Sequence, residues 1–101
     1  VKTFVFDAHA HPVLATPGMP YELVTTSDGG VEIEIPAIFA ATLQSLDAAH
    51  HALAQANAKP AAVAMCTFWH SFLGLDAAGK PSSPIVHLLD TRSQPQAEQL
   101  K

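Results

Sequence analysis

The stretch that decides the expected fold is Ala61-Ala62-Val63-Ala64-Met65-Cys66, a continuous apolar run that follows a predicted helix. A short apolar run of this kind is typical of a central strand that is covered on both faces. The preceding helix is predicted over 37–58, and the alternating polar and apolar residues at 31–35 form a candidate strand before it. A strand, a helix and a second strand in this order predict an α/β fold in which the helix is a crossover connection.

The helix over 37–58 carries the clearest periodic signal in the chain. This segment is rich in alanine and contains no glycine, a composition that favours helix. Pro36 stands just before it and suits the first helical position, where a missing N–H costs nothing. Asn57 and Pro60 mark its end. Four apolar residues at helical spacing predict one buried stripe: Phe39, Leu43, Leu46 and Leu53.

Shorter elements are predicted on both sides of this helix. The apolar runs at 3–6 and 13–15 enclose a polar turn and predict a β-hairpin. The runs at 72–75 and 84–89 enclose a turn sequence that contains Gly79, and they predict a second hairpin. A further helix is expected to begin near Ser93.

Composition narrows the classes of function. The chain has 101 residues, a formal charge of −4 and only 14% charged residues, against about 25% in a typical domain. The acidic balance argues against nucleic-acid and anionic-membrane partners, and no apolar run approaches the ~20 residues of a membrane span. Because few charges are available to cover the surface, we expect the chain to self-associate or to lie against further polypeptide. The lone Cys66 favours a cytoplasmic location, and the start without Met suggests a piece of a longer protein.

Two histidines in the first polar turn suggest a different function, metal binding. A strand that ends in His9-x-His11 resembles the first metal-binding motif of the amidohydrolase superfamily, and imidazoles two positions apart on an extended chain face the same way. That superfamily is built on a barrel of about 250 residues, and the remaining histidines lack the spacings that such a site needs. His50 and His51 are adjacent on the predicted helix and point about 100° apart, so they are not expected to share a ligand. An exposed turn is the simpler interpretation of the pair at 9 and 11.

The segment at 67–71, Thr-Phe-Trp-His-Ser, follows the predicted central strand directly. Ligands collect at the carboxyl ends of strands in sheets of this kind. Trp69 offers a flat apolar face on which a sugar ring could stack, and His70 offers a hydrogen-bonding tip. The alternative, in which Trp69 packs against a neighbour and His70 caps the strand, stays open. Cys66 is expected to be a buried, inert thiol.

Two longer runs resemble a known family. They are AVAMCTFWHSFLGLDAAGKP at 62–81 and PIVHLLDTR at 84–92, and they are similar to the N-terminal domain of the FGGY carbohydrate kinases, which include gluconate, xylulose, ribulose and glycerol kinases. The order is that of the family: an apolar strand, a substrate loop, a hairpin of the form Asp-x-x-Gly-Lys-Pro, and an apolar strand that ends in Asp-x-Arg. The chain has Phe-Trp-His at 68–70 where the family usually has Gln-Met-His, so His70 alone matches in the substrate loop.

The resemblance implies a partial ribonuclease-H-like (actin-like ATPase) domain of the α/β class. We expect a mixed sheet with one long covering helix and with its first strand missing. Residues 1–101 would form a single partial domain, the sugar-side lobe of a two-domain kinase. The parent enzyme would transfer the γ-phosphoryl group of ATP, in the presence of Mg²⁺, to a hydroxyl of a sugar or sugar acid such as gluconate or xylulose. The fragment alone is expected to bind no cofactor and to be inactive.

The same resemblance implies four substrate-binding residues: Trp69, His70, Asp90 and Arg92. Trp69 and His70 would line the sugar side of a cleft. Asp90 and Arg92 would either fix the hairpin to the sheet or contact the substrate. No catalytic residue and no metal ligand is assigned, and a metal-dependent hydrolase that uses His9 and His11, or a non-enzymatic interaction domain, stays as the alternative.

Overall fold

The chain divides into two compact units. The computed structural model describes residues 1–67 and 70–101. The first unit comprises Val1–Tyr21 and Ile38–Cys66, and the second comprises Glu22–Ala37 and Thr67–Lys101. No helix in these described ranges is both long enough and apolar enough to cross a membrane.

A β-hairpin opens the first unit. Strand β1 (Phe4–Phe6) pairs antiparallel with strand β2 (Pro12–Ala15), and the register places Val5 opposite Leu14. Aromatic and β-branched residues favour this extended conformation. The hairpin predicted from the runs at 3–6 and 13–15 is therefore confirmed.

Helix α1 (Ile35–Gln55) has 21 residues and is the longest element. Its C-terminal end is closed by Asn57 in the left-handed conformation, with φ of 52°. The backbone N–H of Ala58 then donates to the carbonyl oxygen of Leu53 at 2.9 Å, a bond that satisfies one of the carbonyls left over at a helix end. Both the helix and its termination near Asn57 were predicted from the sequence, and both are confirmed.

The buried face of α1 differs from the predicted one. Its buried residues are small and spaced four apart: Ala41, Ser45 and Ala49. Phe39 is 62% exposed and Leu43 is 46% exposed, so these two members of the predicted stripe were placed wrongly. Residues four apart lie on one face of a helix, and small side chains on that face allow neighbouring backbone to approach closely.

The hydroxyl of Ser45 joins α1 to the ends of the hairpin. Ser45 is fully buried, and its Oγ lies 2.8 Å from Oγ1 of Thr3 and 3.0 Å from Oγ1 of Thr16. The backbone N–H of Thr3 donates to Oγ1 of Thr16 at 2.9 Å. A buried hydroxyl costs free energy unless it is hydrogen-bonded. Because all three hydroxyls have partners, this cluster can hold the helix on the hairpin without large apolar side chains.

The second unit contains a three-stranded antiparallel sheet. Strands β3 (Val24–Thr25), β4 (Val31–Ile33) and β5 (Ile85–Val86) are arranged with β4 in the centre. Ile33 is fully buried, and helix α2 (Gln94–Gln99) follows β5 along the chain.

The second predicted hairpin is present as two isolated bridges. Phe72 and Val86 exchange backbone hydrogen bonds of 3.2 and 2.7 Å, and Leu75 pairs with Pro81. The turn between them places Gly79 at a φ of 76°, a conformation that glycine adopts at little cost.

The apolar run at 61–66 is not a strand, so the prediction of a central strand was wrong. Val63 is 69% exposed and Met65 is 72% exposed, and Cys66, expected to be buried, is exposed as well. All strand pairs among the described residues are antiparallel, so the expected mixed sheet is not formed there. An apolar run becomes a central strand only where strands on both sides satisfy its backbone groups, and composition does not show whether those strands exist. The ribonuclease-H-like fold and the self-association of the chain stay predictions.

We expect the variant Ser45→Ala to lower the free energy of unfolding by about 1–2 kcal/mol, because it leaves the hydroxyls of Thr3 and Thr16 without their buried partner. Chemical denaturation monitored by circular dichroism measures the change. Ser27→Ala is the matched control, since Ser27 is exposed and its replacement should leave the midpoint unchanged. Equal midpoints for both variants would show that the hydroxyl cluster does not stabilise the first unit.

Candidate functional site

The second unit contains an open cleft with a volume of about 520 Å³. One part of its lining is apolar and consists of Phe72, Val86 and Leu88. The other part is polar and consists of His70, His87, Asp90, Arg92, Ser93 and Gln96. A mixture of apolar surface and a few polar groups is typical of small-molecule sites.

Three of the four residues that the sequence singled out line this cleft: His70, Asp90 and Arg92. Trp69, the fourth, lies outside the described residues. The three are separated by up to 22 positions along the chain, and the pairing of Phe72 with Val86 brings the two segments together.

The carboxylate of Asp90 is the most heavily bonded group of the cleft. Its Oδ2 accepts hydrogen bonds from the backbone N–H of Val31 at 3.0 Å and from Nη2 of Arg92 at 2.6 Å. Its Oδ1 accepts from the backbone N–H of Arg92 at 3.0 Å. The hydrogen-bonded guanidinium of Arg92 is the main cause that lowers the pKa of Asp90 to about 2, against the smaller opposing effect of burial. The carboxylate therefore stays ionised over the physiological pH range.

The guanidinium of Arg92 is shared between two carboxylates. Besides its bonds to Asp90, its Nη2 lies 2.8 Å from Oε1 of Glu32 on strand β4. The side chain of Asp90 is 9% exposed and that of Glu32 is 17% exposed, whereas that of Arg92 is 35% exposed, so solvent reaches the cation and screens these contacts in part. The hydrogen bonds to Asp90 and then to Glu32 raise the pKa of Arg92 above its usual range. Asp90 and Arg92 thus fix the segment after β5 to the central strand of the sheet, which is one of the two roles expected for them.

A tight turn before β4 brings the backbone close to this ion pair. Gly29 has a φ of 91°, and its carbonyl oxygen accepts from both the backbone N–H and the Oγ1 of Thr91, at 3.0 and 3.1 Å. Beside it, a Cβ on Gly30 would lie 2.9 Å from Cζ of Arg92. The two glycines therefore permit a contact between turn and ion pair that side chains would prevent.

His87 lines the cleft, and sequence reasoning did not select it. Its backbone N–H donates to the carbonyl oxygen of Val31 at 2.9 Å, and its Nδ1 accepts from the backbone N–H of Leu89 at 3.3 Å. A neutral imidazole that accepts at Nδ1 carries its proton on Nε2, so His87 offers a donor there. The signal in the sequence was its position directly after the apolar residues of β5, where a strand ends.

The backbone of His70 is in the left-handed region, with φ of 61°. Non-glycine residues rarely adopt this conformation, and it is found more often at functional sites than elsewhere. Next to it, the buried Oγ of Ser71 has no hydrogen-bond partner among the described residues. His70 therefore departs from the common backbone conformations at its position in the lining of the cleft.

The remaining histidines form no comparable site. In the hairpin turn, Asp7 accepts from the backbone N–H groups of His9 and His11, at 2.8 and 2.9 Å, and the two rings lie 6.2 Å apart. The bond from the backbone of His11 is the main cause that lowers the pKa of Asp7. Within residues 1–67 and 70–101, no group of three or more His, Cys, Asp or Glu could hold a metal ion. His50 and His51 are both exposed on α1.

The chain matches no family model, no characterised protein and no solved structure.

We expect acid to destabilise the second unit through Asp90. Its pKa in the folded chain, about 2, lies below the ordinary value of 3.8, so the stability it contributes is fully present above 3.8 and is lost as the pH falls towards 2. Thermal unfolding followed across this range measures the loss. In the variant Asp90→Asn the loss should be smaller, because no carboxylate remains to be protonated at this position. A profile identical to that of the natural chain would contradict the assignment.

The variant Gly30→Ala is expected to disturb the ion pair directly. The added methyl group meets Cζ of Arg92 and Oγ1 of Thr26, so one of these side chains must move. We predict a lower thermal midpoint and a pKa of Asp90 that returns towards its ordinary value, measured by NMR titration of the carboxyl carbon. Gly18→Ala is the control, because a Cβ there has no atom within 4 Å. If the two variants behave alike, the close approach at Gly30 has no structural importance.

Proposed function

We propose that this chain is the sugar-binding part of an ATP-dependent carbohydrate kinase similar to the FGGY family. The parent enzyme would transfer the γ-phosphoryl group of ATP to a hydroxyl of a sugar or sugar acid, for which gluconate and xylulose are candidates. The observation that carries the proposal is the convergence of His70, Asp90 and Arg92 on one cleft. These are three of the four residues to which the resemblance gives a substrate-binding role.

The local geometry supports the proposal in a second way. In the family, the Asp-x-Arg motif closes the hairpin that follows the substrate loop. Here Asp90 accepts from Val31 on β4, and Arg92 contacts Glu32 on the same strand. These contacts fix the end of the hairpin segment against the sheet, and they hold the polar side of the cleft in a defined position. Positioning is the main contribution of protein groups to phosphoryl transfer.

The residues that would hold MgATP are not assigned to this chain. Among its described residues, no group of acidic or histidine side chains is arranged for a metal ion, and the sequence contains no glycine-rich phosphate loop followed by Lys-Ser or Lys-Thr. We therefore derive no step through the nucleotide. In this proposal the chain binds and orients the acceptor sugar, and further parts of the parent protein supply the nucleotide site.

The acceptor sugar would lie between the apolar and polar parts of the cleft. Phe72 and Leu88 offer apolar surface to the C–H faces of a sugar, while His70, His87 and Gln96 offer hydrogen-bonding groups to its hydroxyls. Such an arrangement matches the amphipathic surface of a carbohydrate. A cytoplasmic location of the parent enzyme accords with the lone cysteine. The alternative of a metal-dependent hydrolase gains no support from the turn at His9 and His11, because no group of three or more metal-binding side chains includes them among the described residues.

The proposal is tested by titrating the isotope-labelled chain with xylulose, gluconate and glycerol and following the backbone amide signals by NMR. We expect saturable shifts at the cleft, at His87 and Gln96 above all, and weaker binding by the variant His70→Ala. His51→Ala is the matched control, because His51 is exposed on α1 and bonds only to Gln55 within the described structure. If no sugar or sugar acid produces saturable shifts in the cleft, the proposed function is wrong.

A further inference from the structure

The charge of the cleft follows from its fixed ion pairs. Arg92 is the only Lys or Arg among the described residues that line it, and its guanidinium already contacts the carboxylates of Asp90 and Glu32 at 2.6 and 2.8 Å. Two negative charges and one positive charge leave this cluster with a formal charge of −1. The positive charge of Arg92 is therefore outweighed by its two carboxylate neighbours, and a carboxylate on a ligand would be repelled by the cluster as a whole.

The other polar groups of the cleft suit neutral hydroxyls. The ring of His87 accepts a hydrogen bond at Nδ1 from the backbone N–H of Leu89, which leaves Nε2–H as its donor. Ser93 and Gln96 add a hydroxyl and an amide, both uncharged and both exposed at the cleft. Each of these groups pairs well with a hydroxyl, and none supplies the charge that strengthens a bond to a carboxylate.

We infer that the cleft selects neutral polyhydroxylated ligands over sugar acids, with His87 as a specificity-determining contact and the Glu32–Arg92–Asp90 cluster as the element that repels anions. This inference rests on the proposed function and narrows its substrate class. Of the two candidates named above, it favours xylulose over gluconate.

The sharpest test compares sorbitol with gluconate, which share a six-carbon chain and differ at C1 by a hydroxymethyl group against a carboxylate. We expect sorbitol to bind the natural chain more tightly at low salt, by a factor on the order of five for one unbalanced charge near the surface. Added salt should reduce this factor, because exposed charges are screened over about 10 Å at 0.1 M ionic strength. NMR titration gives both affinities on the same sample.

Three variants separate charge from hydrogen bonding. Glu32→Gln keeps an acceptor oxygen for Arg92 but makes the cluster formally neutral, so the preference for sorbitol should largely disappear. His87→Leu should weaken sorbitol binding, whereas His87→Gln retains a donor and should restore part of it. His51→Gln is the control and should leave both affinities unchanged.

The outcomes distinguish the inference from the proposed function. If gluconate binds as tightly as sorbitol or more tightly, the inference is overturned while a sugar-binding role stands. A preference for sorbitol that survives Glu32→Gln also overturns it, since the cluster would then not be the cause. If neither ligand binds and xylulose and glycerol fail as well, the proposed function falls together with the inference.

Discussion

The second unit depends on one buried carboxylate. Asp90 accepts hydrogen bonds from the backbone of Val31, from the backbone of Arg92 and from the guanidinium of Arg92. Two further contacts attach the segment 90–92 to the sheet. Thr91 bonds to Gly29 in the turn before β4, and Arg92 contacts Glu32 on β4 itself. Strands β3, β4 and β5 have only two or three residues each, so the backbone hydrogen bonds between them contribute little stability to the sheet. Hydrogen bonds from side chains to the backbone add to that stability.

The first unit is stabilised by a cluster of hydrogen-bonded hydroxyl groups, where the second unit has charged groups. Ser45 is buried on α1, and its hydroxyl is hydrogen-bonded to the hydroxyls of both Thr3 and Thr16. The buried positions beside it are alanines. Both units therefore have few large buried side chains and rely on polar contacts with specific geometry. Hydrogen bonds are directional, so they specify which backbone segments come together more precisely than apolar packing does.

The polar contacts that stabilise the second unit also determine the charge of the cleft. The groups that stabilise the second unit, Asp90 and Arg92, also line the cleft, so their charges are committed to each other and to Glu32. A ligand in the cleft would face a guanidinium that already contacts two carboxylates. Under the proposed function, the structural role and the recognition role of Asp90 and Arg92 would both follow from one set of bonds, because the pair holds the wall of the cleft and sets its charge.

Parts of the site could be read from the sequence because they are local. An Asp two residues before an Arg can form its ion pair locally, as Asp90 and Arg92 do, whereas His70 was expected at the end of a strand that is not formed. His87, Ser93 and Gln96 were missed: His87 had only its position at the end of a strand as a signal, and nothing in the local pattern marks Ser93 and Gln96. They reach the cleft only because Phe72 pairs with Val86 and because α2 begins directly after Arg92.

By itself, the sequence determined the elements whose cause lies within a few residues: the first hairpin, the long helix with its end near Asn57, and the turn at Gly79. Only the tertiary structure decided which surfaces are buried. The apolar run at 61–66 is exposed, and the helix buries Ala41, Ser45 and Ala49 where Phe39 and Leu43 were expected. The physical reason is that local conformation follows from steric and hydrogen-bonding preferences of neighbouring residues, whereas burial requires a partner from elsewhere in the chain. The partners of Ser45 are Thr3 and Thr16, which lie 42 and 29 positions away along the chain. No local sequence pattern predicts contacts between residues so far apart.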